Sequence, residues 1–205
     1  EYLLQSEYRQ ENKNSSHIID FSVNKTDNDK KNGRKTHFFS NSKFNFENEI
    51  FDETFIDLKI EKVSNDGYID LYSLESTSPI IKDTSTLENV VELSASNNDL
   101  NFDLSIESYE TMNEINSDRY EFVYPNYSIN KSIVNDNNFF SNIDLASTGN
   151  QKTYSTNIFE AIQVNDLILT SENFYSKFGL VNSVKTLIKN VNSKGKNSSK
   201  LKDSN

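Results

Sequence analysis

The sequence predicts an all-β chain, folded as an antiparallel up-and-down meander of about ten strands. Three observations predict it. Apolar residues recur every second position through most of the 205 residues. Clusters of turn formers such as "SNND" and "NDNN" separate these runs. Short and long connections alternate along much of the chain, as they do when strands run up and down between a short-loop end and a long-loop end.

Strands are expected at 2–10, 17–25, 36–47, 54–64, 87–96, 100–110, 119–131, 139–147, 153–165 and 177–190. In the second, His17, Ile19, Phe21 and Val23 share one face, with Asp20, Ser22 and Asn24 on the other. In the fourth, Ile56, Leu58 and Ile60 oppose Asp57, Lys59 and Glu61. Leu87, Val91, Leu93 and Ala95 mark the fifth. The sixth is the clearest, with Leu100, Phe102, Leu104 and Ile106 against Asn101, Asp103, Ser105 and Glu107. Tyr120, Phe122 and Tyr124, then Phe139, Ile143 and Leu145, then Phe178, Leu180 and Val184 continue the pattern. Successive strand side chains point to opposite faces, so each run has one apolar and one polar face.

Tight connections are expected at 11–16, 48–53, 97–99 and 133–138, and longer polar ones at 26–35, 65–86, 111–118 and 148–152. The stretch 166–176 is long where a short turn is expected. Strands of nine to eleven residues match a tilted membrane crossing. Tyr68, Tyr72, Tyr109, Tyr120, Tyr124, Tyr127, Phe174 and Tyr175 fall near strand ends, where rings form an interfacial girdle in membrane barrels. A soluble antiparallel sandwich also alternates and is also aromatic-rich. Pattern alone leaves both open.

Composition narrows the functional classes. No run of apolar residues approaches the roughly 18 that a spanning helix needs. Cysteine is absent, which excludes disulfides and thiolate metal sites within the chain. Net charge is −10, which argues against a nucleic-acid partner. The 30 Asn and 28 Ser, against 3 Ala and 5 Gly, are the mark of an AT-rich genome. Aromatics at 12% argue against a disordered tract. The N-x-S/T triplets at Asn14, Asn24, Asn126, Asn130 and Asn197 are expected by chance at this composition and are assigned no glycan. The chain begins at Glu1 without Met and stops in the polar run "SKGKNSSKLKDSN", and it reads as a piece of a longer protein.

No catalytic, cofactor-binding or metal site is expected. Asp52 with Glu53, and Glu107 with Glu110, are acidic pairs of the kind that scatter through a chain with 31 acids. "DNDKKNG" at 27–33 lacks the spacing and terminal Glu of a calcium loop. His17 and His37 read as interfacial or lumenal polar residues. Gly179 reads as a bulge or kink within a strand, and Pro125 as an edge or bulge position. Arg119 reads as a surface contact or a partner for lumenal acids.

Several strings resemble the barrel of the lipopolysaccharide-assembly family LptD, the organic solvent tolerance proteins, in its divergent members from AT-rich bacteria. They are "LLQSEYRQENKNSSHIIDFS" (3–22), "HFFSNSKFNF" (37–46), "SDRYEFVYPNYSINKS" (117–132), "VNDL" (164–167) and "KNVNSKGKN" (189–197). The segment from Arg119 to Pro125 is similar to the family's strand with an arginine ahead of a proline. The resemblance implies that residues 1–205 are one partial domain of a large transmembrane β-barrel, with the periplasmic N-terminal domain and the remaining strands outside it. It implies the cell outer membrane of a Gram-negative bacterium and a translocon that assembles lipopolysaccharide into the outer leaflet, without bond chemistry. The implied partners are lipopolysaccharide, the lumenal lipoprotein LptE, the periplasmic Lpt bridge through the missing domain, and outer-membrane lipid. The family's disulfides have no counterpart here, which puts a redox checkpoint on assembly in doubt. The alternatives are another outer-membrane barrel, a porin or a receptor, or a soluble adhesin-like β-module. Ten strands cannot close so wide a barrel, so two unpaired edges are expected.

Overall fold

The structure is a computed structural model, and it describes residues 2–25, 35–74, 77–81, 83, 85–112, 118–135 and 139–201. The stretch 27–33, read as a loop without the spacing of a calcium site, lies outside the described residues.

The chain forms a ten-stranded antiparallel sheet. Its strands are β1 (Tyr2–Asn12), β2 (Ser15–Lys25), β3 (Lys35–Asn45), β4 (Glu53–Val63), β5 (Thr86–Ser96), β6 (Leu100–Thr111), β7 (Tyr120–Val134), β8 (Phe140–Tyr154), β9 (Phe159–Ser171) and β12 (Lys185–Lys196). Each pairs with the next, so the sheet is a meander. A short helix, α1 (Tyr68–Tyr72), interrupts the connection between β4 and β5. A two-stranded hairpin, β10 (Phe174–Tyr175) with β11 (Val181–Asn182), interrupts that between β9 and β12. The sheet is open, with β1 and β12 as its edges. No described helix is long and apolar enough to cross a membrane.

Several expectations are corrected. Residues 148–152 are not a loop; they lie inside β8, and the turn is at 155–158. Alternation of short and long connections therefore fails after β8. The last strand is not 177–190 but Lys185–Lys196, so the polar string "KNVNSKGKN" is mostly strand. Gly179 is not a strand bulge. Its φ of +78° places it in the hairpin turn, where a residue without Cβ is favoured. The connection 65–86 is not simply polar. Tyr68, Ile69, Leu74, Ile80 and Ile81 from it are buried with Phe39, Leu87 and Met112 in a small core.

Pro125 does sit at a bulge. Ser105 faces Asn126 and Glu107 faces Val123, so Ile106 alone opposes Tyr124 and Pro125. A bulge leaves a ladder position unpaired, which suits a residue with no N–H to donate. Beside it, Tyr127 is paired with Gly149. A Cβ on Gly149 would stand 2.6 Å from the Tyr127 ring, so only glycine lets the ring lie across β8.

Candidate functional site: a capped polar face and an open apolar face

Directly opposed residues in an antiparallel ladder share a face, so the register assigns every strand side chain to one of two faces. The first face carries a row running across seven strands: Ser16, Lys43, Asp57, Glu92, Ser105, Asn126 and Asn150. All seven are polar. The neighbouring row on the second face runs Phe44, Ile56, Leu93, Leu104 and Tyr127. All five are apolar or aromatic.

The polar face is the better covered one. Helix α1 sits over its corner at β2 and β3. Asp20, Ser22, Asn24 and His37 are all buried there. Ser22 Oγ lies 2.6 Å from His37 Nδ1 and 2.5 Å from the Tyr68 hydroxyl. His37 Nε2 lies 3.1 Å from Asp20 Oδ1. Gln5 donates to both oxygens of Asp20, and Asn24 donates to the Tyr72 hydroxyl. Of the two readings, interfacial or lumenal, the first does not hold for His37, which is buried on the polar face and joins polar groups of three strands to the helix. Burial of Tyr68 pushes its phenol pKa upward, despite the opposing Ser22 hydrogen bond.

Ser22, His37 and Asp20 are in hydrogen-bond order, as in a hydrolytic triad. The geometry nonetheless fits a clasp. The Tyr68 hydroxyl occupies Ser22 Oγ from above, and Ser22 and Asp20 project from one strand beneath helix α1. Such a fully bonded polar cluster satisfies buried groups that would otherwise each cost roughly 1–3 kcal/mol.

Further along the polar face, Lys59 bridges Glu61 at 3.0 Å and Glu88 at 2.6 Å. Glu107 accepts from Ser105, Tyr109 and Asn126. Lys152 meets Glu121 at 2.7 Å. Arg119 does pair with acids: it binds Asp66 through both terminal nitrogens and Glu110 through Nε and Nη2. These bonds raise its already high pKa. The pair Glu107 and Glu110 is separated, since three positions along a strand alternate faces. His17 lies on the open face against the Phe44 edge, 5.0 Å between centroids.

The open face carries most of the large exposed apolar strand residues, among them Leu4, Phe21, Phe38, Val91, Ile106, Phe122, Tyr124, Ile129, Ile133, Leu145 and Ile188, while Leu3, Val134, Ile162, Leu187 and Val191 lie on the polar face. Their distribution is slanted. On β2 the apolar stretch is Ile19, Phe21 and Val23, toward the 26–34 connection. On β4 it is Ile56, Leu58 and Ile60, on β5 Val91, Leu93 and Ala95, and on β9 Leu167 and Leu169. Followed along the register, one row begins at His17 and Ser42, passes Leu58, Val91 and Ile106, and ends at Gln151, Ala161 and Lys194. The band therefore crosses the rows obliquely. Between Phe21 on β2 and Leu167–Leu169 on β9 it drifts by roughly one and a half residues per strand. At about 3.4 Å per residue and about 4.8 Å between strands, the band lies at roughly 45° to the perpendicular across the strands.

The expected aromatic girdle is split. Tyr68 and Tyr72 belong to α1 on the polar face, and Tyr109 bonds Glu107 there. Tyr120, Tyr124 and Tyr127 belong to the open face, and Phe174 and Tyr175 to the hairpin. Among the described residues no group of three His, Asp or Glu is placed to hold a metal ion.

Comparison with known proteins finds no family model that matches the chain and no match among curated proteins.

Proposed function

We propose that the sheet is a stretch of the wall of an outer-membrane β-barrel. The open face meets lipid and the polar face meets an aqueous lumen. One observation carries the reading: the oblique apolar band. A flat hydrocarbon slab crossed by strands tilted about 35–45° wets each successive strand at a shifted height. The band's slope falls in that range. The inverted burial supports it too. Helix α1 covers Asp20, Ser22 and His37 on the polar side, together with a small core around Phe39. The paired edges that a closed barrel requires would come from further strands of the same wall.

Within that class we take the wall to be part of the lipopolysaccharide translocon, on the strength of the resemblance at 3–22, 37–46 and 117–132. The partners are lipopolysaccharide, the lipoprotein LptE and the periplasmic bridge. The wall's role is passage and not catalysis. The test is conditional depletion of the whole gene product in its source bacterium. Loss of surface lipopolysaccharide with accumulation inside the envelope supports the translocon. Unchanged surface lipopolysaccharide sinks it and leaves a porin or receptor wall.

A further inference from the structure

The hairpin at 172–184 is unlike the other connections. It presents Phe174, Tyr175, Phe178, Leu180, Val181 and Val184 to the outside, with Phe178 93% exposed at the tip. Loop tips are ordinarily polar, because they face water. This one is apolar and yet well formed. Ser176 N donates to Leu180 O at 2.8 Å, and Gly179 N to Ser176 O at 3.0 Å. Ser176 Oγ accepts from Phe178 N and Leu180 N. The turn's backbone groups are thus largely bonded within the hairpin. A segment that enters a medium poor in water needs this.

The hairpin's position identifies the medium. Because the band slants, it reaches the ends of β8 and β9 at this corner, at Ile143 and Leu169. Phe139, next to β8, stacks on Phe174 with centroids 5.5 Å apart. The apolar surface therefore runs from the sheet into the hairpin. Lys177, beside the tip, supplies a cation at the depth of anionic headgroups.

We propose that the 172–184 hairpin is a membrane-interface anchor, inserting Phe178 and Leu180 into the boundary between headgroups and acyl chains of the leaflet at the 13–14, 46–52 and 97–99 end of the wall. The inference rests on the lipid-facing reading of the open face. Its occupant is lipid, because the surface is continuous with the band, and aromatic and aliphatic side chains flanked by lysine are the usual interfacial set.

These 205 residues hold no tryptophan, so an introduced one is read against the unsubstituted whole protein as the blank. Phe178→Trp and, separately, Val91→Trp are made in the full chain and folded into phosphatidylethanolamine–phosphatidylglycerol vesicles with lipids brominated near the headgroup or deep in the chain. Both tryptophans are expected to be quenched at least twofold, Trp at 178 by shallow bromines and Trp at 91 by deep ones. Quenching at 91 with iodide-accessible fluorescence at 178 overturns the anchor and leaves the wall. Shielding from both iodide and bromine at 178 assigns the hairpin to a protein surface and overturns the anchor. No lipid quenching at either position overturns both readings.

Discussion

The corner under α1 and the corner bearing the 172–184 hairpin solve the same problem in opposite ways. Each is a long connection at the margin of the sheet. The first folds back over polar side chains and buries them: Tyr68 is fully buried, and its hydroxyl completes the cluster of Ser22, His37 and Asp20. The second stands away from the sheet with its apolar side chains uncovered, Tyr175 at 76% and Phe178 at 93% exposure. The first corner thus hides polar groups beside a small apolar core, and the second displays apolar side chains. On the wall reading proposed above, water would not be the only solvent for which the chain is built. The capped corner is stabilised by internal hydrogen bonds and a small core, whereas the bare corner leaves its apolar side chains exposed.

The largest effect should come from Tyr68→Ala. It removes a buried ring from the core beneath α1 and leaves Ser22 with one partner fewer, a loss of about 3–5 kcal/mol at that corner. Amide exchange should show α1 opening and protection falling near β2 and β3, with the hairpin unchanged. Equal loss at both corners would break the comparison.

Gly149→Ala drives a methyl into the Tyr127 ring and should cost about 1–3 kcal/mol. In a double-mutant cycle, Tyr127→Leu should recover most of it. Additive losses would mean that the ring's closeness is not what requires glycine.

Tyr68→Phe keeps the ring and deletes only the hydroxyl. Ser22 retains His37, so the loss should be about 1 kcal/mol. The same hydroxyl predicts an alkaline response. Its folded pKa is raised above the ordinary value of 10, so this stability is present below pH 10 and is lost as pH climbs through the raised value. Among the tyrosines that titrate late by absorbance at 295 nm, one should do so together with undocking of α1, and that phase should vanish in Tyr68→Phe.

The smallest effect on folding should be that of Phe178→Ser, within about 0.5 kcal/mol in detergent, because the side chain touches little. Its effect should appear in bilayer binding instead. A large loss of folding stability would mean that the hairpin is a structural contact.

Much of the sheet was legible in the sequence because period two needs only the strand's own residues. Leu100 to Glu107 alternates without exception, and the register puts its two sets on the two faces. The far end of β8 was not legible, though its start was. Ser147, Gly149 and Gln151 lie where the slanted band has left the strand, so the apolar signal stops before the strand does. Helix α1 was hidden because it is five residues long and its partners, Ser22 and His37, lie more than thirty positions away. The apolar residues Ile80 and Ile81, in a tract read as polar, were the available signal for a buried connection. The clasp itself left only one trace, the runs Asp20-x-Ser22 and His37 on the polar side of adjacent strands.

The central claim is that the two faces meet different solvents. Because the chain lacks cysteine, single cysteines can be placed and spin-labelled from position 101 to 106, one at a time, in protein folded into bilayers. Collision rates with oxygen and with a water-soluble nickel chelate then report lipid and water. The account predicts oxygen contact at 102, 104 and 106 and nickel contact at 101, 103 and 105, alternating with period two. Six positions with the same response, or an apolar set shielded from both reagents by protein, would contradict it.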